Sequence, residues 1–325
     1  MSRIVDWWDR HQIALYLLAL AAGAALGLAA PGAAPVLAHS INPVLALLLF
    51  ATFLGVPLAQ VGSGLRDVRF LLALLAANFV VVPLLVWGLT RFVADDPALL
   101  AGVLLVLLTP CVDYVIVFTG LAGGDRARLL SAAPVLMLLQ LLLLPLYLAL
   151  TAGPDVVGVV DVGPFVEALV VLILLPLAAA GLIQVLARRH RAGRAIEEIM
   201  AAAMVPLMML TLAVVVGSQI VAVGSAVTVL WRVLPLYLAF VVLAVAVGVV
   251  AAKGARLAAP SARAVVFSTV TRNSLVVLPL ALALPESLAL APLAVVSQTL
   301  VELVAMVVLV RLVPRLIPAP DAPTR

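Results

Sequence analysis

Residues 98–119 read Ala-Leu-Leu-Ala-Gly-Val-Leu-Leu-Val-Leu-Leu-Thr-Pro-Cys-Val-Asp-Tyr-Val-Ile-Val-Phe-Thr. The run has the length and composition of a bilayer-spanning helix, which needs roughly 20 mostly apolar residues. Its middle does not suit an unbroken helix. Pro110 removes a backbone donor and clashes with the preceding turn, so the helix must break or kink there. Asp113 is then placed to cap a second half-helix. Unwound backbone at that depth is tolerated only where it is buried in protein or lines a wet cavity.

The surrounding sequence fits a membrane protein throughout. The chain has 325 residues, 66% of them hydrophobic and 10% charged, with a mean hydropathy of +1.32. Soluble domains are about half apolar and about a quarter charged. Soluble enzymes, DNA-binding proteins and secreted scaffolds are therefore excluded, and no nucleic-acid partner is expected. Cys111 is the single cysteine, so no intramolecular disulfide can form. Trp7 and Trp8 precede the first apolar run and nine more spans follow it, so it reads as an uncleaved first helix.

Gly, Pro and charged residues divide the chain into ten expected spans. The first five cover 13–30, 41–61, 70–90, 98–119 and 129–151; the second five cover 164–186, 195–221, 231–252, 264–283 and 290–313. The expected fold is an all-α polytopic membrane protein with repeats at 13–152 and 164–313, and tails at 1–12 and 314–325. Counting Arg and Lys in alternate loops puts sixteen on one side and two, Arg91 and Arg232, on the other. The positive-inside rule then places both termini in the cytoplasm, with the chain in the cell (inner) membrane. Five spans per half also forces the second half to enter from the opposite side. Such inverted repeats are a common transporter architecture, with sites at midplane where helices are interrupted.

A second interruption stands at the matching position. Thr271-Arg272-Asn273-Ser274 lies in the ninth span as Thr109–Tyr114 lies in the fourth. The two broken helices are expected to cross at midplane and form a substrate site from Cys111, Asp113, Tyr114, Arg272, Asn273 and Ser274. An ionisable group alone at the centre of a helix costs roughly 2.5–3.5 kcal/mol on insertion scales, so Asp113 and Arg272 are expected to pair. In that pairing Asp113 orients the Arg272 donors, either as a structural lock or toward an oxyanion. Glu302 is left as the remaining charge, one helical face with Gln298 and Thr299, and is the expected proton-exchanging group. Asn78, Gln140, Gln184 and Gln219 read as helix–helix hydrogen-bonding residues, with a place along the pathway as the alternative, and Gly23 and Gly27 as a small-residue packing pattern.

At these residues the chain resembles a known family. Thr109-Pro110-Cys111, followed by Gly123-Gly124-Asp125, is similar to the fourth helix of arsenite efflux permeases of the arsenical-resistance family. Gln298-Thr299-Leu300-Val301-Glu302 resembles their tenth helix. These permeases belong to the wider bile acid/sodium symporter superfamily. The resemblance implies a ten-helix antiporter that exports trivalent arsenic, arsenite or antimonite, in exchange for protons. It assigns Cys111 as the metalloid ligand and Glu302 as the coupling carboxylate, with no cofactor and no resident metal. The chain resembles a divergent member of this group. Val112, Asp113 and Tyr114 stand where Thr and small residues are expected, and Arg272, Asn273, Ser274 and Leu275 where paired asparagines and Phe-Glu are expected. A guanidinium fixed in the crossing would repel sodium, which favours protons as the coupling ion. The alternative is an organic anion transporter of the bile acid symporter type, its cargo held by Arg272 and driven by sodium or protons. An enzyme is not expected, because His11, His39 and His190 all fall outside the spans.

Overall fold

The computed structural model describes residues 2–55, 67–112, 114–151, 167, 170–225 and 227–318. Among them the chain is all-helical. The helices are α1 (Ser2–Ala29), α2 (Ala34–Gly55), α3 (Val68–Ala76), α4 (Val82–Leu89), α5 (Pro97–Leu107), α6 (Tyr114–Leu121) and α7 (Arg126–Thr151). They continue as α8 (Leu175–Ala187), α9 (Arg191–Ser225), α10 (Val227–Gly254), α11 (Ala259–Val270), α12 (Ser274–Leu282) and α13 (Ala291–Leu316). A π-helical turn, Ala77–Val81, joins α3 to α4, and another, Val170–Leu174, precedes α8.

Among the described residues, six stretches are long and apolar enough to cross a membrane: Pro31–Gly55, Val68–Val93, Arg126–Thr151, Arg191–Ser218, Trp231–Gly254 and Glu286–Leu316. They fall on the expected spans two, three, five, seven, eight and ten. Among the described residues the expected spans four and nine are broken, into α5 and α6 and into α11 and α12. Residues 2–12 form the first turns of α1. They carry no Pro or Gly to stop the helix from growing backwards out of the apolar run.

Local chemistry sets several helix starts. The Asp67 carboxylate accepts from the Phe70 amide at 3.1 Å and caps α3. Asp96 accepts from the Ala98 and Leu99 amides, and Pro97 fills the first position of α5, where its missing donor costs nothing. The long helices show lipid-facing stripes. Leu138, Leu142, Leu146 and Leu150 are exposed at four-residue spacing on α7, as are Leu300, Val304, Val308 and Leu312 on α13. Gln298, Glu302, Met306 and Leu309 are buried on the other face of α13. Large apolar side chains left outward at this regularity suit a hydrocarbon surround, not water.

The chain packs as two compact units. One comprises Met1–Val56, Asp161–Leu230 and Leu278–Leu284; the other comprises Pro57–Val160, Trp231–Val277 and Pro285–Arg325. Each draws on both sequence halves, so compactness groups the spans differently from the division at 13–152 and 164–313. In the first unit α1 packs on α9 through Gly23 and Gly27. A Cβ at Gly23 would stand 2.5 Å from the Ala213 carbonyl oxygen, and one at Gly27 would run into the Gly217 carbonyl. Gln184 on α8 donates to the Phe53 and Leu54 carbonyls at the end of α2.

In the second unit several loop charges are paired. Arg128 pairs with Asp67 at 2.7 Å and Asp125 at 3.2 Å, and donates to Ser261. Arg263 donates to the Ala122, Gly123 and Ile317 carbonyls, tying together the ends of α6 and α13. Arg232 pairs with Asp95, and its guanidinium holds that carboxyl below the ordinary carboxylate range.

Gly102 of α5 sits against α13. A Cβ there would meet the Ala291 carbonyl oxygen at 2.5 Å and the Ala294 methyl at 2.8 Å. Gly102→Val therefore forces backbone apart and is expected to cost about 1–3 kcal/mol. A Cβ at Gly32 would meet nothing within 4 Å, so Gly32→Ala is expected to be neutral. Thermal unfolding of the two purified proteins in detergent checks the contrast.

Candidate functional site

The site is built where the two interrupted spans of the second unit meet. Helix α5 ends at Leu107, and the Thr109 hydroxyl turns back to the Leu105 and Val106 carbonyls at 3.0 and 3.1 Å. This satisfies acceptors that the ending helix leaves open. Pro110 forbids a helical conformation at Thr109 and supplies no donor of its own. Helix α11 ends by the same device: the Thr271 hydroxyl donates to the Phe267 carbonyl at 2.7 Å, and Thr271 itself is extended.

The two extended segments then pair with one another. The Cys111 amide donates to the Thr271 carbonyl at 3.0 Å, and the Asn273 amide donates to the Thr109 carbonyl at 2.8 Å. Pro110 and Arg272 face each other in this short antiparallel bridge. Their position is the one that exchanges no hydrogen bonds, which is why a proline fits there. Unwound backbone is thus satisfied inside the protein, as an apolar surround demands.

In such a pair the Arg272 amide points away from Pro110, and Glu302 receives it. The Glu302 carboxylate accepts from the Arg272 amide at 2.7 Å, the Gln298 side chain at 2.5 Å and the Tyr114 hydroxyl at 2.5 Å. The Tyr114 oxygen also lies 3.1 Å from the Arg272 carbonyl. Tyr114 therefore has two acceptors within reach, one on the carboxylate and one on the bridge itself.

The Arg272 guanidinium turns to other partners. Its Nη2 lies 2.8 Å from Asn78 Oδ1, 2.7 Å from the Ser268 carbonyl and 2.5 Å from the Thr269 carbonyl. Its Nη1 lies 3.4 Å from the Leu107 carbonyl, and its carbon stands 5.5 Å from the Phe240 ring centre. Asn78 is held by the Leu74 carbonyl and the Ser268 hydroxyl. It sits on the π-helical turn Ala77–Val81, which interrupts the regular ladder beside the site.

The expected site residues fall out as follows. Cys111, Arg272, Asn273, Ser274 and Glu302 are fully buried and Tyr114 nearly so, all at or beside the bridge. Asn273 caps α12 through Val276, whereas Ser274 Oγ, Asn273 Nδ2 and Arg272 Nε have no partner among the described residues. Asp113, and with it the expected Asp113–Arg272 pair, lies outside the described residues. The polar stripe on α13 divides: Gln298 binds Glu302, but the Thr299 hydroxyl bonds back to Val295 of its own helix. Asn78 and Phe240 join the site unannounced by any motif; the one signal for Asn78 was an amide inside an apolar span. The Leu107, Ser268 and Thr269 carbonyls could not have been found from side-chain identity. No group of three or more His, Cys, Asp or Glu that could hold a metal occurs among the described residues.

Two broken helices joined through backbone and flanked by a buried carboxylate are an arrangement that broken-helix transporters use. The chain belongs to the Sodium Bile acid symporter family, whose profile matches residues 42–226. It is therefore a multi-pass membrane protein of a transporter family. No curated protein matches it closely.

Glu302 accepts a charge-assisted hydrogen bond from Tyr114, a class that contributes about 1.5–3 kcal/mol. Tyr114→Phe is expected to lower unfolding stability by that amount. Thr299→Val, which removes only a bond within one helix, is expected to change it by less than about 1 kcal/mol. Parallel thermal melts of the two variants and wild type read the difference.

Proposed function

We propose that the chain is a secondary active transporter that exports trivalent arsenic in exchange for protons. In this reading ten spans form two inverted five-span repeats. The chain sits in the cell membrane with both termini in the cytoplasm, as the sixteen-to-two distribution of loop cations favours. The observation that carries the proposal is the buried Cys111 thiol, placed in the bridge and one residue from the Pro110–Arg272 pair whose amide Glu302 holds.

A thiol is a soft ligand and selects thiophilic species. A single thiol binds a metalloid loosely, which suits a carrier that must release its cargo. Arsenous acid also presents hydroxyl groups, and Asn273 Nδ2 and Ser274 Oγ are polar groups beside the bridge suited to meet them. Proton exchange is assigned to Glu302. Its carboxylate accepts from the Arg272 amide, so gaining a proton removes charge from a bond that steadies the crossing. Tyr114 can then turn its hydroxyl to the Arg272 carbonyl. Proton occupancy and the backbone of the cargo site are thereby linked.

The second reading, an organic anion held by Arg272, has less support. Both terminal nitrogens of that guanidinium already engage protein oxygens. It would instead have to use Asn273 and Ser274 at the start of α12.

Arsenite accumulation in arsenic-sensitive cells, at matched membrane levels, tests the proposal. Wild type is expected to lower accumulation, and Cys111→Ser is expected to return it to the level of cells lacking the protein. Glu302→Gln is expected to abolish export while leaving the protein in the membrane. Accumulation unchanged by wild type refutes arsenite as cargo and directs the search to anions.

A further inference from the structure

The family name carries sodium, and the structure lets that be tested against particular atoms. A site for a monovalent cation can be built from uncharged oxygens, and in broken-helix transporters unwound carbonyls and the C-terminal ends of half-helices supply them. The second unit contains such an arrangement. The Ser268 and Thr269 carbonyls belong to the last turn of α11, and the Leu107 carbonyl is the last of α5. These are helix ends, where unsatisfied carbonyls and the negative ends of two macrodipoles gather. Asn78 Oδ1 supplies a fourth oxygen and the Phe240 ring a π face.

The cradle is filled from within the chain. The Arg272 guanidinium touches all four oxygens and the ring. Among the described residues no carboxylate lies within ion-pairing distance of it. Among the described residues its terminal nitrogens donate to neutral oxygens, the kind of ligand a free monovalent cation takes, whereas a guanidinium that recognises carboxylates does so through paired forks.

We infer that Arg272 is a tethered cation standing in the place of a mobile one, so that this chain works without sodium, and that removing its side chain uncovers a monovalent cation site. The inference deepens the proton-coupled reading but does not depend on which cargo is carried. Its test is made on ion binding by the purified full chain, with no cargo present.

Wild type is expected to unfold at the same temperature in sodium and choline chloride and to bind no radioactive sodium. Arg272→Ala is expected to unfold lower in choline, and to recover saturably with sodium or with millimolar guanidinium while binding labelled sodium. Adding Asn78→Leu to that variant is expected to reduce the recovery several-fold. Saturable sodium-specific stabilisation of wild type overturns the inference. So does an Arg272→Ala protein that is indifferent to every salt, or one that cannot be recovered folded even with guanidinium present. A failed arsenite assay leaves these outcomes untouched, and sodium binding by wild type leaves the arsenite assay untouched.

Discussion

Two backbone hydrogen bonds, Cys111 to Thr271 and Asn273 to Thr109, are the constraint on which the rest of the second unit depends. A helix broken in hydrocarbon exposes amides and carbonyls that have no water to turn to. Here each break supplies the other's missing partners, so neither could exist alone. The threonines at 109 and 271 end both half-helices in the same way, each hydroxyl returned to its own last turn. Once the segments are extended and paired, Pro110 must occupy a position that exchanges no bond. Arg272, opposite, must then aim its amide elsewhere.

That geometry decides how two buried charges are accommodated. Charged groups are stable in such surroundings only when their hydrogen-bonding capacity is met. Glu302 is met by three donors, one of them the Arg272 backbone, and Arg272 by oxygens at two helix ends. The carboxylate and the guanidinium therefore attach to the same residue at different ends without forming a side-chain ion pair.

The coarse architecture was legible because hydrocarbon leaves few choices. Apolar runs of spanning length, a proline in one of them and a polar tetrad at the matching place in another were enough to identify the two interruptions. Gly23 and Gly27 were likewise readable, since close backbone approach needs the absence of a side chain. Other features were not. The partition of Gln298 toward Glu302 and of Thr299 toward Val295 depends on a rotation within one turn of α13, which residue spacing does not specify. The helical start of α1 at Ser2 was hidden because a charged segment gives no apolar periodicity to read.

What the sequence by itself determined is the all-helical, membrane-spanning class, the places where two helices must break, and the identity of the buried thiol, carboxylate and guanidinium. These follow from the chemistry of single residues: proline cannot continue a helix, and charge is costly in an apolar medium. Only the tertiary structure decided what the arginine does. Its four oxygen partners are three main-chain carbonyls and one amide from a distant span. Carbonyls are the same in every residue, so no side-chain pattern can announce which of them will converge. That convergence arises where two helices end beside each other, and it exists only in three dimensions.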